Sequence, residues 1–187
     1  MTRVLCTLVV TIAVALALAG TAEARGGHYA FDGGTAKQRS QVRQALNASS
    51  FNWSVVSETV TIHIVRHADT EAIPGEIWVD SSLLATGKFA WATIQHEYAH
   101  EVDFFLFSSD IRGTLLKKLG GQVWFWDVSG LQHASYGCER FASTLAWAYW
   151  QSPDNSLRPT SGKDESAAMA PAKFRALIDS LVADQTA

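Results

Sequence analysis

Two stretches of the chain carry apolar residues around much of a helical circumference, and shorter stretches between them alternate. In residues 87–107, Phe89, Trp91, Ile94, Tyr98, Val102, Phe105 and Leu106 recur without an intervening proline, which predicts one continuous and largely buried helix. A second long helix is predicted over residues 138–150, with Phe141, Ala142 and Leu145 as packing positions and no Gly or Pro inside it. Residues 35–48 predict a polar helix with Val42, Ala45 and Leu46 as its modest apolar stripe. Residues 111–119 predict a short helix ended by Gly120-Gly121, and residues 171–183 an amphipathic one with Phe174, Leu177, Ile178 and Leu181 on one face. Period-two alternation marks residues 58–66 as a strand, with Val60, Ile62 and Ile64 opposite Thr61, His63 and Val65. A second strand, residues 76–84, follows the turn signal Pro74-Gly75, and it is expected to be either a core strand or an edge beside the long helix. The pattern predicts an α+β fold.

The N-terminus changes this picture. Arg3 precedes an apolar run over residues 4–19, and Ala22-Glu23-Ala24 has the small-x-small form of a signal-peptidase site, so residues 1–24 are expected to be a cleaved signal peptide. Residues 25–187 then form a single domain, expected to be secreted, monomeric and free of the membrane. Cleavage removes Cys6 and leaves Cys138 alone, which excludes an intramolecular disulfide. With 15 Lys+Arg against 18 Asp+Glu, a net charge of −3 and no basic cluster, nothing favours a nucleic-acid partner. Residues 25–34 are predicted to be a loose glycine-rich leader, and residues 152–168 a long surface loop. The aromatic run Val123-Trp124-Phe125-Trp126 is assigned to the core, with a substrate pocket as the alternative.

Chemistry enters with His96-Glu97-Tyr98-Ala99-His100, an HExxH inside the long helix. Residues four apart lie on one helical face, so His96 and His100 can turn two imidazole nitrogens toward one Zn2+ with Glu97 alongside. A zinc ion with three protein ligands keeps a fourth position for water, and an adjacent carboxylate can take that water's proton. The third ligand must come from elsewhere. A metzincin site would need glycine and histidine where Asp103 and Leu106 stand, so that class is excluded. Glu139 is the leading candidate, because it starts a helix whose apolar positions can pack on the metal helix; His133 is the rival. His63 and His67 lack a partner at ligand spacing and are expected to be strand and strand-end residues.

The octapeptide His96-Glu97-Tyr98-Ala99-His100-Glu101-Val102-Asp103, followed by Glu139-Arg140-Phe141-Ala142, resembles the gluzincin metallopeptidases. The likeness is to minigluzincins and anthrax lethal factor-like peptidase domains, which carry HExxHxxD and then E-x-F-A. The resemblance implies a zincin-like core with a small sheet, an active-site helix and a glutamate helix. It also implies His96, His100 and Glu139 as zinc ligands and Glu97 as general base. Many gluzincins brace a ligand histidine with an acidic residue four positions after the glutamate, where this chain has Ser143. Asp103 either supplies that missing charge or has a local structural role. For the developing oxyanion, Tyr136 is favoured over His133 as the hydrogen-bond donor. The expected activity is a secreted zinc metallopeptidase acting on a peptide or protein substrate. The alternative is a zinc-binding, catalytically weak secreted interaction module.

Overall fold

In β2 (Val60–Val65), Val60, Ile62 and Ile64 are buried while Val65 is exposed, so alternation in the sequence becomes a covered and an open sheet face. The computed structural model describes residues 26–186; the expected signal peptide lies outside the described residues. Here β2 lies between β1 (Tyr29–Gly33) and β4 (Glu76–Asp80), parallel to both. A three-residue strand, β3 (Glu71–Ile73), pairs antiparallel with β4 and completes the order β1-β2-β4-β3. The architecture is α+β with a small four-stranded sheet.

Two expectations are corrected by this sheet. Part of the stretch expected to be a loose leader is β1, whose register with β2 pairs Tyr29 with Val60 and Gly33 with Ile64. The strand expected over residues 76–84 stops at Asp80, followed by a 3-10 turn at Leu83–Thr86, and both of its edges are occupied. Among the described residues, the unpaired edge on that side of the sheet belongs to β3.

Five helices complete the order: α1 (Ala36–Ala48), α2 (Phe89–Leu106), α3 (Ser109–Leu119), α4 (Gly137–Tyr149) and α5 (Pro171–Thr186). Thr35 caps α1 reciprocally with Gln38, and Gly120 ends α3 in the left-handed conformation that a side chain would resist. α2 is the axis of the molecule, with α4 along one side and α1 and β3 against others. Its Ile94, Tyr98 and Val102 belong to the same buried cluster as Ile62, Ile77 and Val79 of the sheet and Phe141 and Leu145 of α4. Burying each such side chain stabilises the fold by about 1.5–3 kcal/mol.

The start of α4 is fixed tightly. The N–H groups of Gly137 and Cys138 donate to the Val123 and Trp124 carbonyls at 2.7 and 3.1 Å. A Cβ on Gly137 would lie 2.6 Å from the Trp124 ring and 2.8 Å from Leu116, so only glycine permits this approach. Glu139 is thereby set in the first turn of α4, two residues beyond that contact.

Candidate metal centre

α2 carries His96 and His100 one turn apart, and α4 carries Glu139 against them. His96 Nε2 lies 3.1 Å from His100 Nε2 and 3.0 Å from Glu139 Oε2, while His100 Nε2 is 3.6 Å from the same oxygen. All three residues are buried. Four ligands at 2.0–2.1 Å around a tetrahedral zinc lie about 3.3 Å from one another, so this nitrogen, nitrogen, oxygen set has the spacing and chemistry zinc takes. The residues fit the metal. Burial alone would raise the Glu139 carboxyl, but the His100 and His96 imidazoles beside it outweigh burial and hold it well below the usual range.

Glu97 faces the same space. It lines a cleft of about 360 Å³ with His96, His100, Glu139 and His133, and with Thr70, Glu71, Ala72 and Ile73 along the β3 edge. Burial pushes its carboxyl up to about 7 against the opposing pull of the His96 imidazole. A carboxyl near neutrality is suited to taking and returning a proton.

His133, the rival ligand, sits at the cleft but between two carboxylates. Its Nε2 is 3.2 Å from Glu139 Oε2 and its Nδ1 is 2.7 Å from Glu165 Oε1. His133, Glu139 and Glu165 also lie within ligand distance of one another. Because each ring nitrogen faces a different carboxylate, the arrangement is that of a hydrogen-bonded imidazole between two acids. The hydrogen bond to Glu165 raises the His133 pKa above its ordinary value, against the effect of partial burial.

Tyr136, the favoured oxyanion donor from sequence, is placed elsewhere: its hydroxyl donates to the Val128 carbonyl at 2.8 Å, and it does not line the cleft. Asp103 has the structural role of its two alternatives. Its carboxylate accepts from Arg112 Nε at 2.7 Å and Trp124 Nε1 at 2.8 Å, tying α2 to α3 and to the aromatic run. That run divides, with Trp124 buried and Trp126 exposed at the cleft near the His100 ring. His63 and His67 lie away from the centre. His63 stacks on Trp78 and meets Asp32 at 2.9 Å, and His67 is exposed.

Sequence reasoning missed Glu165. It stands in the segment expected to be a surface loop, yet its Oε2 accepts from Ser143 Oγ at 3.0 Å, and Ser143 Oγ is 3.1 Å from His96 Nδ1. The available signal was the serine itself, one turn after Glu139, where a carboxylate was expected.

A second buried acid on α2 holds the cleft wall. Glu101 Oε2 accepts from Gly75 N at 2.8 Å, linking the β3–β4 turn to α2, while its Oε1 has no hydrogen-bond partner among the described residues. Burial pushes this carboxyl up to about 8 from an ordinary value of 4.5. An acid with a raised folded-state pKa makes its full contribution below the unfolded pKa and loses it as pH rises through the folded one. The metal-free protein should therefore melt at lower temperature as pH rises from about 5 to 8, with Glu97 contributing in the same direction. Glu101→Gln keeps the acceptor for Gly75 and removes the charge, so it should flatten that fall. Thermal melts across the range check this, and an unchanged slope in the variant would refute the assignment to Glu101.

No protein-family model matches the chain, and comparisons with curated proteins and with solved structures give no match.

Proposed function

We propose that this chain is a secreted zinc metallopeptidase of gluzincin type, with a zincin-like fold, hydrolysing peptide bonds in peptides or proteins outside the cell. The observation that carries the reading is the convergence of His96 Nε2, His100 Nε2 and Glu139 Oε2 within 3.0–3.6 Å, in a cleft that also holds Glu97 and a strand edge. Zinc, when bound by His96, His100 and Glu139, supplies a Lewis acid that polarises a carbonyl and acidifies water.

The chain's own residues supply the rest. Glu97 takes the proton of the attacking water on its carboxylate and returns it to the leaving nitrogen, a role favoured by a pKa near 7. One edge of β3 is paired with β4, and the other borders the cleft through Glu71, Ala72 and Ile73. An extended peptide adds to that edge by main-chain hydrogen bonds, which orient its scissile bond whatever its side chains. His133, held by Glu165, donates from Nε2 toward the oxyanion that forms on the carbonyl. Trp126 and Ile73 add apolar surface to the lining of the cleft.

The test is a digest of an unbiased peptide library by the purified chain after zinc loading, with products read by mass spectrometry. Cleavage should occur, stop on addition of a chelator and resume when zinc is returned. A zinc-loaded protein that leaves the whole library intact would sink the peptidase reading.

A further inference from the structure

We propose that Glu165 is a positioning residue for the metal centre, orienting the ligand His96 through Ser143 and the cleft residue His133 directly. The inference rests on the metal-site reading above and extends it to a segment that the motif does not reach.

The argument follows the protons. The Ser143 hydroxyl has one hydrogen and two neighbours, Glu165 Oε2 at 3.0 Å and His96 Nδ1 at 3.1 Å. A carboxylate only accepts, so the hydroxyl hydrogen must point at Glu165; otherwise two oxygens with lone pairs would face each other at that distance. Ser143 Oγ is then an acceptor toward His96, and His96 Nδ1 carries the proton it receives. The other ring nitrogen, Nε2, which lies 3.0 Å from Glu139 Oε2 and 3.1 Å from His100 Nε2, is then the one that can give its lone pair to a metal ion held by the three residues. A metal-ligating histidine whose second nitrogen is held in this way has its tautomer and ring plane fixed.

The other oxygen of the same carboxylate acts on His133. Glu165 Oε1 lies 2.7 Å from His133 Nδ1, which turns Nε2 toward Glu139 and the cleft. One acid thus orients two rings, which lie at 25° to each other with centroids 6.5 Å apart.

Glu165 can do this because its segment is anchored. Its carbonyl accepts from Thr144 Oγ1 at 3.2 Å, so Ser143 and Thr144, consecutive on α4, grip its side chain and its backbone. The preceding Asp164 accepts from the N–H groups of Thr160 and Ser161, closing the turn before it. Further back, buried Asn155 donates to the Ala146 and Trp150 carbonyls and accepts from Leu157 N. The stretch between α4 and α5 is a built support for the centre.

The experiment compares the zinc affinity of full wild-type chain, Glu165→Ala, Ser143→Ala and the double variant by competition with a chromophoric chelator. Losing such a support should weaken zinc binding by about 10–100-fold in either single variant. The double variant should be no worse than the weaker single one, because both cut one path. Nitrogen-15 spectra of the zinc-loaded chains give a second readout: His96 Nδ1–H should be protected from solvent exchange in wild type and lose that protection in both variants. If Glu165→Ala fails to fold, Ser143→Ala removes one buried oxygen and carries the test alone. Wild-type affinity and wild-type His96 exchange in the variants would overturn the proposal, as would additive losses. A wild-type chain that takes up no zinc would remove the metal-site reading itself, and the proposal with it.

Discussion

Glu97→Gln is expected to fold, to bind zinc as tightly as wild type, and to lose peptide hydrolysis by at least 10²–10⁴-fold, the usual worth of a positioned general base. The substitution preserves shape and removes only the capacity to take a proton. Glu97 is not one of the three residues proposed to hold the ion, His96, His100 and Glu139, so the substitution leaves that set intact. The environment also makes the variant tolerable: burial raises the Glu97 carboxyl and so disfavours its charged form, and a neutral amide suits the same surroundings. Metal content, thermal melting and kcat/KM measured on one preparation separate the possibilities. Cleavage of the same peptides at close to the wild-type rate would show that Glu97 is not the base.

Glu139→Ala should lose most of its metal at submicromolar free zinc, whereas His133→Ala should keep it and lose rate at most. Two histidines alone are too few for a tight three-ligand zinc site. Glu139 Oε2 is also the atom on which His96, His100 and His133 converge, at 3.0, 3.6 and 3.2 Å, so its removal takes away the carboxylate at the centre of the cluster. Metal content after gel filtration of both variants decides between the two candidate ligands. An empty His133→Ala beside a loaded Glu139→Ala would make the ligand set three histidines and end the gluzincin assignment.

Helices α2 and α4 were legible in the sequence because each carries apolar positions along its length with no Pro and no Gly beyond the first residue of α4, and burial then fixes which faces meet. The HExxH was legible for the same local reason, since a four-residue spacing on a helix needs no tertiary information. The short strands were not. β3 has three residues, of which only Ala72 is buried, and β1 has five, none buried and ending in Gly33; pairing with β4 and β2 makes them strands, and local propensity does not. Glu165 was hidden by composition, because a Ser, Pro, Asn and Asp-rich stretch reads as solvated whether or not it folds back on a helix. The direction of the Tyr136 hydroxyl was not legible, because a motif position says nothing of where a hydroxyl points, and the Val128 carbonyl is as good an acceptor as a substrate. Asp103 lay open to two roles until Arg112 and Trp124 supplied its partners.

The brevity of β3 has a consequence for how the protein coexists with its own copies. A bare strand edge invites any extended chain, including the same edge on a neighbouring molecule, and such pairing seeds aggregation. Three residues span about 10 Å, enough to hold a passing peptide in register but too little to template a growing sheet. The exposed Glu71 at one end adds a like charge to any symmetric approach. The edge that would welcome a substrate strand is thus poorly made for welcoming itself.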